Sequence, residues 1–350
     1  GGQTIPGTVP GTMAAFKLAP AVAAGNTVVL KPDENASLST LELCRHIAKI
    51  FPPGVINIVP GLGEEAGASL TAHPQVAKLA FTGSSEVGRI VSVAGANRLV
   101  PVSLELGGKS PNIVFPDVTA QDMDAIVDNV TFASMYCNGQ SCLAGTRLFL
   151  HEDIYPDFMD RLVASMRRIR VADPSSDGPL LGCLVSERQG QRVQSYIDAG
   201  KSEARLTTGG KRTQVPGCDA GWFFEPTVFE TTNDSKIAQE EIFGPVLSVF
   251  KWKDREQLIH DANNVRYGLA AGLYTNDLAA ALETADRLDA GNVWINSYFN
   301  LASGSPFGGF KESGIGSEYC FETLNMYTHL KAITMQGKVQ PAWYAPKQGS

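Results

Sequence analysis

Cysteine and histidine are sparse in this 350-residue chain, six and five in number, and neither clusters. Cys44, Cys137, Cys142, Cys183, Cys218 and Cys320 form no C-x-x-C pair, and no Cys/His group has metal-ligand spacing. A metal centre is therefore not expected. Nor is a disulfide framework expected at this chain length, and the thiol usage fits a reducing compartment. The histidines, His46, His73, His151, His260 and His329, are scattered, and each reads more simply as surface or core than as a catalytic base. Long apolar runs are missing as well. Residues 13–25 are interrupted by Lys17 and Pro20, so no membrane span is expected. Gly1-Gly2-Gln3-Thr4 has neither the basic start nor the apolar block of a secretory signal. Basic excess is also lacking: a net charge of −7 gives no nucleic-acid footprint and argues against anionic membranes. A cytoplasmic location is the expectation, with neither nucleic acid nor a membrane as partner.

What the chain does have is alternation. Hydrophobic residues make up 43% and charged residues 19%, a globular composition, and the length calls for two domains. The patterning predicts strands at 27–30, 55–59, 77–81 and 102–106, with helices at 13–24, 38–50, 64–71 and 85–95. A second series follows Gly107-Gly108, with strands at 112–115, 148–151, 246–250, 270–274 and 291–296. Its helices fall at 120–137, 155–170, 186–199 and 277–288, and residues 207–221 read as loop-rich. Repeated strand-helix-strand units imply an α/β fold with parallel sheets covered by helices.

Two sets of residues suggest chemistry. Gly61-Leu62-Gly63-Glu64-Glu65-Ala66-Gly67, Thr82-Gly83-Ser84 and Lys31-Pro32-Asp33-Glu34 each follow a predicted strand. Glycines there let a backbone approach a pyrophosphate, hydroxyl and amide groups suit phosphate, and a carboxylate can hold ribose hydroxyls. One such corner alone reads as a plain turn; three together favour a nucleotide site. The second set is Cys142 in Asn138-Gly139-Gln140-Ser141-Cys142 and Glu105 in Leu104-Glu105-Leu106-Gly107-Gly108-Lys109. A thiolate can attack an electrophilic carbon, and a carboxylate can activate water against the adduct. A cysteine among apolar neighbours is more often a packed core residue.

Taken in order, these segments resemble the aldehyde dehydrogenase superfamily. The resemblance rests on Phe16-Lys17-Leu18-Ala19-Pro20-Ala21, Gly25-Asn26-Thr27-Val28-Val29-Leu30-Lys31-Pro32 and Phe81-Thr82-Gly83-Ser84. It continues through the Glu105 and Cys142 segments, Glu240-Glu241-Ile242-Phe243-Gly244-Pro245, and Pro306-Phe307-Gly308-Gly309-Phe310-Lys311-Glu312-Ser313-Gly314. The family implies two Rossmann-like domains with a small oligomerisation tail: a partial cofactor-binding domain over 1–107, a catalytic domain over 108–310, and the tail over 311–350. It implies NAD-dependent oxidation of an aldehyde to a carboxylic acid, with NADP the less favoured cofactor. Cys142 matches the nucleophile that forms a thiohemiacetal and then a thioester, and Glu105 the base for hydrolytic water. Lys31 and Glu34 match the adenosine-ribose contacts, Gly63 the adenine side, and Ser84 a pyrophosphate ligand. Leu106 and Gly107 match the lining of the nicotinamide pocket, Glu241 the nicotinamide-ribose ligand, and Phe243 the aromatic at the nicotinamide end. Glu34 favours NAD because a carboxylate repels the extra phosphate of NADP. Residues 327–336 resemble the strand that joins a partner subunit, so a homodimer or homotetramer is implied.

The front of the chain departs from the pattern. Gly2-Gln3-Thr4-Ile5-Pro6 resembles a piece found well upstream in the family, and Pro6-Gly7-Thr8-Val9-Pro10 replaces Pro-Trp-Asn-Phe-Pro. Thr8 thus stands where the family holds the oxyanion with Asn. The expectations that follow are a truncated or internally deleted member with lost sheet strands, an exposed edge and reduced activity. Two rivals follow from the same resemblance: a coenzyme A-acylating enzyme, which Glu105 disfavours, and a catalytically silent relative with a binding or structural role.

Overall fold

The computed structural model describes residues 1–178 and 180–337. Two twisted sheets organise it. The first has strands β1 (Gly2–Thr4), β2 (Val28–Lys31), β3 (Ile56–Ile58), β4 (Leu79–Thr82) and β5 (Val102–Glu105). These run parallel in the order β5-β4-β1-β2-β3. The second contains β6 (Pro111–Val114), β7 (Arg147–His151), β8 (Arg205–Thr208), β9 (Thr227–Glu230), β10 (Val246–Trp252), β11 (Ala270–Tyr274) and β12 (Asn292–Ile295). Its order is β8-β9-β10-β7-β6-β11-β12, parallel except for β8. A short β13 (Gly314–Ile315) returns antiparallel to β5 and edges the first sheet.

β1 corrects one expectation. Gly2–Thr4, which the patterning does not predict as a strand, pairs with β2 on one side and β4 on the other, at the sheet's centre. The three residues Gly-Gln-Thr hold one β-branched residue, Thr4, and no alternating apolar signal, which is why the pattern passes over them. What holds β1 is tertiary: Gln3 is wholly buried and its Nε2 donates to the Lys17 carbonyl at 2.7 Å and to Tyr327 Oη at 3.2 Å.

Helix α1 (Pro10–Ala23) starts with proline at its first position and ends as its composition predicts. Gly25 adopts φ +79°, and the N–H groups of Gly25 and Asn26 donate to the carbonyls of Val22 and Ala21, a Schellman closure. Residues 64–71 differ from the single helix predicted. Gly63–Gly67 forms a wider turn in which the Gly67 N–H reaches the Leu62 carbonyl, followed by the short helix Ala68–Ala72. The loop-rich reading of 207–221 overlaps the end of β8, and β9 beyond it was not predicted. Gly209 and Gly210, both at positive φ, turn the chain just beyond β8 and masked the pattern.

The stretch after 310 does not stand apart from the rest. Phe310–Lys311 pairs with Tyr267–Gly268 beside the second sheet, and three residues later Gly314 pairs with Glu105 in the first. Residues 327–336 pair with no strand among the described residues, and Leu330, Ile333 and Met335 are exposed; residues 338–350 lie outside those described. Among the described residues, no helix is long and apolar enough to cross a membrane.

Candidate active site

The residues between the two sheets carry the Glu105 segment. β5 ends at Glu105, β6 begins at Pro111, and Leu106 to Ser110 cross from one sheet to the other. The crossing is stapled by Ser313, which is fully buried. Its carbonyl accepts from the Leu106 N–H at 2.8 Å, its Oγ donates to the Gly107 carbonyl at 2.7 Å, and that Oγ accepts from the Gly268 N–H at 2.9 Å. Leu106 packs into the space left by Gly88 on helix α2 (Ser85–Arg98).

Gly107 and Gly108 are glycine for a spatial reason. A Cβ on Gly107 would lie 2.4 Å from Glu241 Oε2, and one on Gly108 would lie 2.2 Å from the Cys142 carbonyl oxygen. The Gly108 N–H donates to Glu241 Oε1 at 3.1 Å. The crossing strand, the cysteine loop and the Glu241 loop therefore meet at one point.

The cysteine loop reaches that point through an uncommon turn. Helix α3 (Ala120–Met135) ends, and Cys137, Asn138 and Gly139 all take positive φ, at 53°, 60° and 67°. Left-handed conformations cost non-glycine residues energy, so something must hold them. Asn138 does: its Oδ1 accepts from the Gly182 N–H at 2.9 Å and its Nδ2 donates to the Cys183 carbonyl at 3.1 Å. Gln140 adds a bond from the Val185 N–H to its Oε1 at 3.0 Å. A Cβ on Gly139 would lie 2.2 Å from the Gly244 carbonyl oxygen. Gly139→Ala is expected to lower stability by about 2 kcal/mol or more and to slow alkylation of Cys142, measured by urea unfolding and iodoacetamide labelling.

Cys142 keeps a solvent-facing portion of surface, yet protein surrounds it on every side at longer range. Burial pushes its thiol up to about 12, the charges of Glu241 and Glu105 push the same way, and the N–H groups of Leu143 and of Cys142 itself oppose them. Glu105 is almost fully buried, and among the described residues its Oε2 has no hydrogen-bond partner. Burial first, and the like charge of Glu318 second, hold its carboxyl well above the ordinary range, against the pull of Lys17. Glu241 is raised to about 7 by burial, opposed by the Gly108 N–H, Arg192 and Lys109. Phe243 follows on the same loop at φ +60°, its carbonyl accepting from Gln189 Nε2 at 2.8 Å.

The remaining expected positions lie beyond the carboxyl ends of β2, β3 and β4 of the first sheet, where nucleotides bind in open α/β sheets. Lys31 closes β2, is buried, and bonds Glu34 Oε2 at 3.0 Å. Burial works against the Glu34 charge, but the Lys31 bond and a backbone N–H prevail and hold that carboxyl low. Ser84 follows β4 and caps α2, its Oγ accepting from the Val87 N–H at 3.3 Å. Gly63 follows β3 with open space where a side chain would be.

The family model described as the aldehyde dehydrogenase family matches residues 3–333. The chain belongs to the aldehyde dehydrogenase family. An aldehyde dehydrogenase of Enchytraeus buchholzi is 46% identical over 336 residues, covering 95% of this chain and 66% of that protein. The γ-glutamyl-γ-aminobutyraldehyde dehydrogenase of Burkholderia cenocepacia superposes with a TM-score of 0.91 at 43% identity, over 94% of this chain and 66% of that one. An aldehyde dehydrogenase of Bacillus cereus, solved as an NAD+ complex, gives 0.92 at 40% identity over 96% and 68%. This family member thus spans about two thirds of the length of the curated relatives it matches.

Two groups beside Glu105 escaped the sequence reading. Lys17, wholly buried on α1, bonds Glu318 Oε1 at 2.5 Å, and both influence the Glu105 carboxyl. The available signal was an isolated lysine amid an Ala-rich helix, since a buried lysine needs a partner. Thr8 reaches the cysteine loop, where its Oγ1 donates to the Gln140 carbonyl at 3.0 Å.

Proposed function

We propose that this chain oxidises an aldehyde to a carboxylic acid with NAD, through covalent attachment to Cys142 and hydrolysis assisted by Glu105. The observation that carries the reading is the convergence at Gly108, whose amide bonds Glu241 and whose missing side chain admits the Cys142 loop, three residues after Glu105. The residues fit the cofactor. Open space at Gly63, the Lys31–Glu34 pair, Ser84 at the start of a 14-residue helix, and bare backbone at Gly107 against Glu241 all follow strands of the one parallel sheet. Lys31 and Glu34 would hold the adenosine ribose, Gly63 the adenine side and Ser84 the pyrophosphate. Leu106, Gly107, Glu241 and Phe243 would hold the nicotinamide end. Glu34 favours NAD over NADP, because its carboxylate repels an added phosphate. When bound, that cofactor supplies the hydride acceptor.

The chain's own residues do the rest. Cys142, once ionised, adds through Sγ to the aldehyde carbon, and the amide N–H groups at Cys142 and Leu143 stabilise nearby negative charge. Glu105 then takes a proton from water that attacks the thioester. Its raised proton affinity makes it a stronger base than an ordinary carboxylate, with Lys17 moderating the elevation. In the same reading residues 327–336 join a second copy, giving a homodimer or homotetramer, and the protein is cytoplasmic.

The test is NADH formation by the purified chain with a short aliphatic aldehyde. Turnover that needs no coenzyme A supports the hydrolytic reading. Absence of both turnover and NAD binding would favour the silent relative. Because Thr8 spends its proton on Gln140, the side-chain donor for the oxyanion is weak here. Thr8→Asn is accordingly expected to raise kcat by about 100-fold, read from steady-state NADH formation.

A further inference from the structure

Arg147 is wholly buried at the start of β7, the strand that the Cys142 loop enters. A buried guanidinium is costly to desolvate, and a chain keeps one where its planar fork of donors joins groups that an apolar side chain could not. Here the partners are neutral oxygens from three separate segments. Nη1 donates to the Lys109 carbonyl at 3.4 Å and to the Ala262 carbonyl at 3.0 Å. Nη2 donates to the Asp261 carbonyl at 2.5 Å and to Asn233 Oδ1 at 2.9 Å. Asp261 and Ala262 lie in the last turn of helix α4 (Arg255–Asn263), where carbonyls lack partners within the helix and the dipole favours a cation.

These bonds reach the segments that meet at Gly108. The Lys109 carbonyl lies at the end of the crossing that carries Glu105 and Gly108, and the Arg147 N–H donates to the next carbonyl, Ser110, at 3.3 Å. Arg147 itself continues the Cys142 loop. Asn233 opens the stretch that leads to Glu241. Its Nδ2 donates to the carbonyls of Asp261 and Asn264 at 3.1 and 3.3 Å, and Gln239, on the approach to Glu241, donates to the Asn264 carbonyl at 3.0 Å.

We propose that Arg147 is a positioning residue, a buried clasp whose guanidinium holds the Glu105 crossing, the Cys142 loop and the Glu241 segment in one mutual register. Its effect on NAD rests on the reading of Glu241 as the cofactor's ribose ligand; the clasp itself does not. At Gly108 the segments touch through a single hydrogen bond, to Glu241 Oε1 at 3.1 Å, and through the close approach of the Cys142 carbonyl. Contacts so few leave room for sliding, and a misplacement of about 1 Å costs on the order of 100-fold in rate. Lysine is no substitute for the fork: its ammonium is a point charge on a flexible stem, unable to span oxygens from three segments.

Arg147→Lys keeps the charge and loses the fork. In the cofactor-free variant the Gly108 amide should exchange its hydrogen about tenfold faster relative to the core amides of both sheets, while KM for NAD rises about tenfold. A merely structural arginine would lower stability, speed exchange in both sheets alike and leave KM for NAD unchanged in the folded fraction; that result overturns the proposal. Should Arg147→Lys fail to fold, Asn233→Ala decides, since it removes the half-buried side-chain partner and leaves Arg147 in place. It should speed Gly108 exchange and raise KM for NAD about threefold each, and no change in either overturns the clasp. The two readings fail separately. A wild-type chain that binds no NAD, with Gly108 exchange still responding to these variants, sinks the ribose role alone. Normal NAD binding with unresponsive Gly108 exchange sinks the clasp alone.

Discussion

Cys142→Ala is expected to reduce aldehyde-dependent NADH formation by about 10^4-fold or more, the scale seen when a covalent nucleophile is removed. Cys142→Ser should do little better, because no histidine is placed to activate a hydroxyl there. The other five cysteines carry no comparable expectation. Cys137, five residues earlier, lies in the left-handed turn rather than against Gly108, and its thiol too is raised by burial. Replacing Cys137 by Ser should leave NADH formation within about threefold of wild type. The thiol at 142 is held up to about 12, so in the free protein only about one in 10^5 is ionised at pH 7. Burial is the largest cause, and the Glu241 and Glu105 carboxylates add to it. Alkylation by iodoacetamide should therefore rise with pH across the whole accessible range. It should accelerate in Glu241→Gln, which removes a neighbouring negative charge. Full activity in Cys142→Ala would remove the covalent reading, whereas a pH-independent alkylation rate would show a thiol already ionised and overturn only its raised proton affinity.

Much of this arrangement could be read from the residues, and the failures have physical causes. β2, β5, β6 and β11 announced themselves because parallel strands buried on both faces are short runs of Val, Ile, Leu and Ala. Cys142, Glu105 and Glu241 were singled out by motif, and the loops bearing them meet at Gly108. β1 was invisible for the opposite reason: its place depends on Gln3 bonding Lys17 and Tyr327, contacts 14 and 324 residues away in sequence. The same holds for Lys17, Glu318 and Ser313. Nothing local shows that Ser313 will staple the crossing at Gly107, nor that a lysine in one helix will meet a glutamate 301 residues later. Pairings across the fold are fixed by tertiary packing, and a single chain's periodicity does not record them. Gly-Gln-Thr fills a central strand for the same reason, because neighbours on both sides supply the hydrogen bonds.

Glu105→Gln should separate the two halves of the reaction. The variant keeps the shape and a hydrogen-bonding capacity but cannot accept a proton, so attack by Cys142 proceeds while deacylation stalls. Rapid mixing with NAD and aldehyde should show a first burst of NADH close to one equivalent per site, followed by a steady rate reduced about 10^2- to 10^4-fold. The pH profile carries a further sign. In the wild type the base is useful only when ionised, and burial together with Glu318 raises the pH at which that happens. The steady rate should therefore climb with pH through a limb lying well above the ordinary carboxylate range. Glu105→Gln should flatten that limb, leaving only the dependence of the burst on Cys142. Coenzyme A offers the control, since its thiol can resolve a thioester without this base. If added coenzyme A restored the steady rate of Glu105→Gln, the stalled species would be identified as the thioester. Loss of the burst itself would instead place Glu105 in the attack step, where its negative charge near Cys142 gives no reason to expect it.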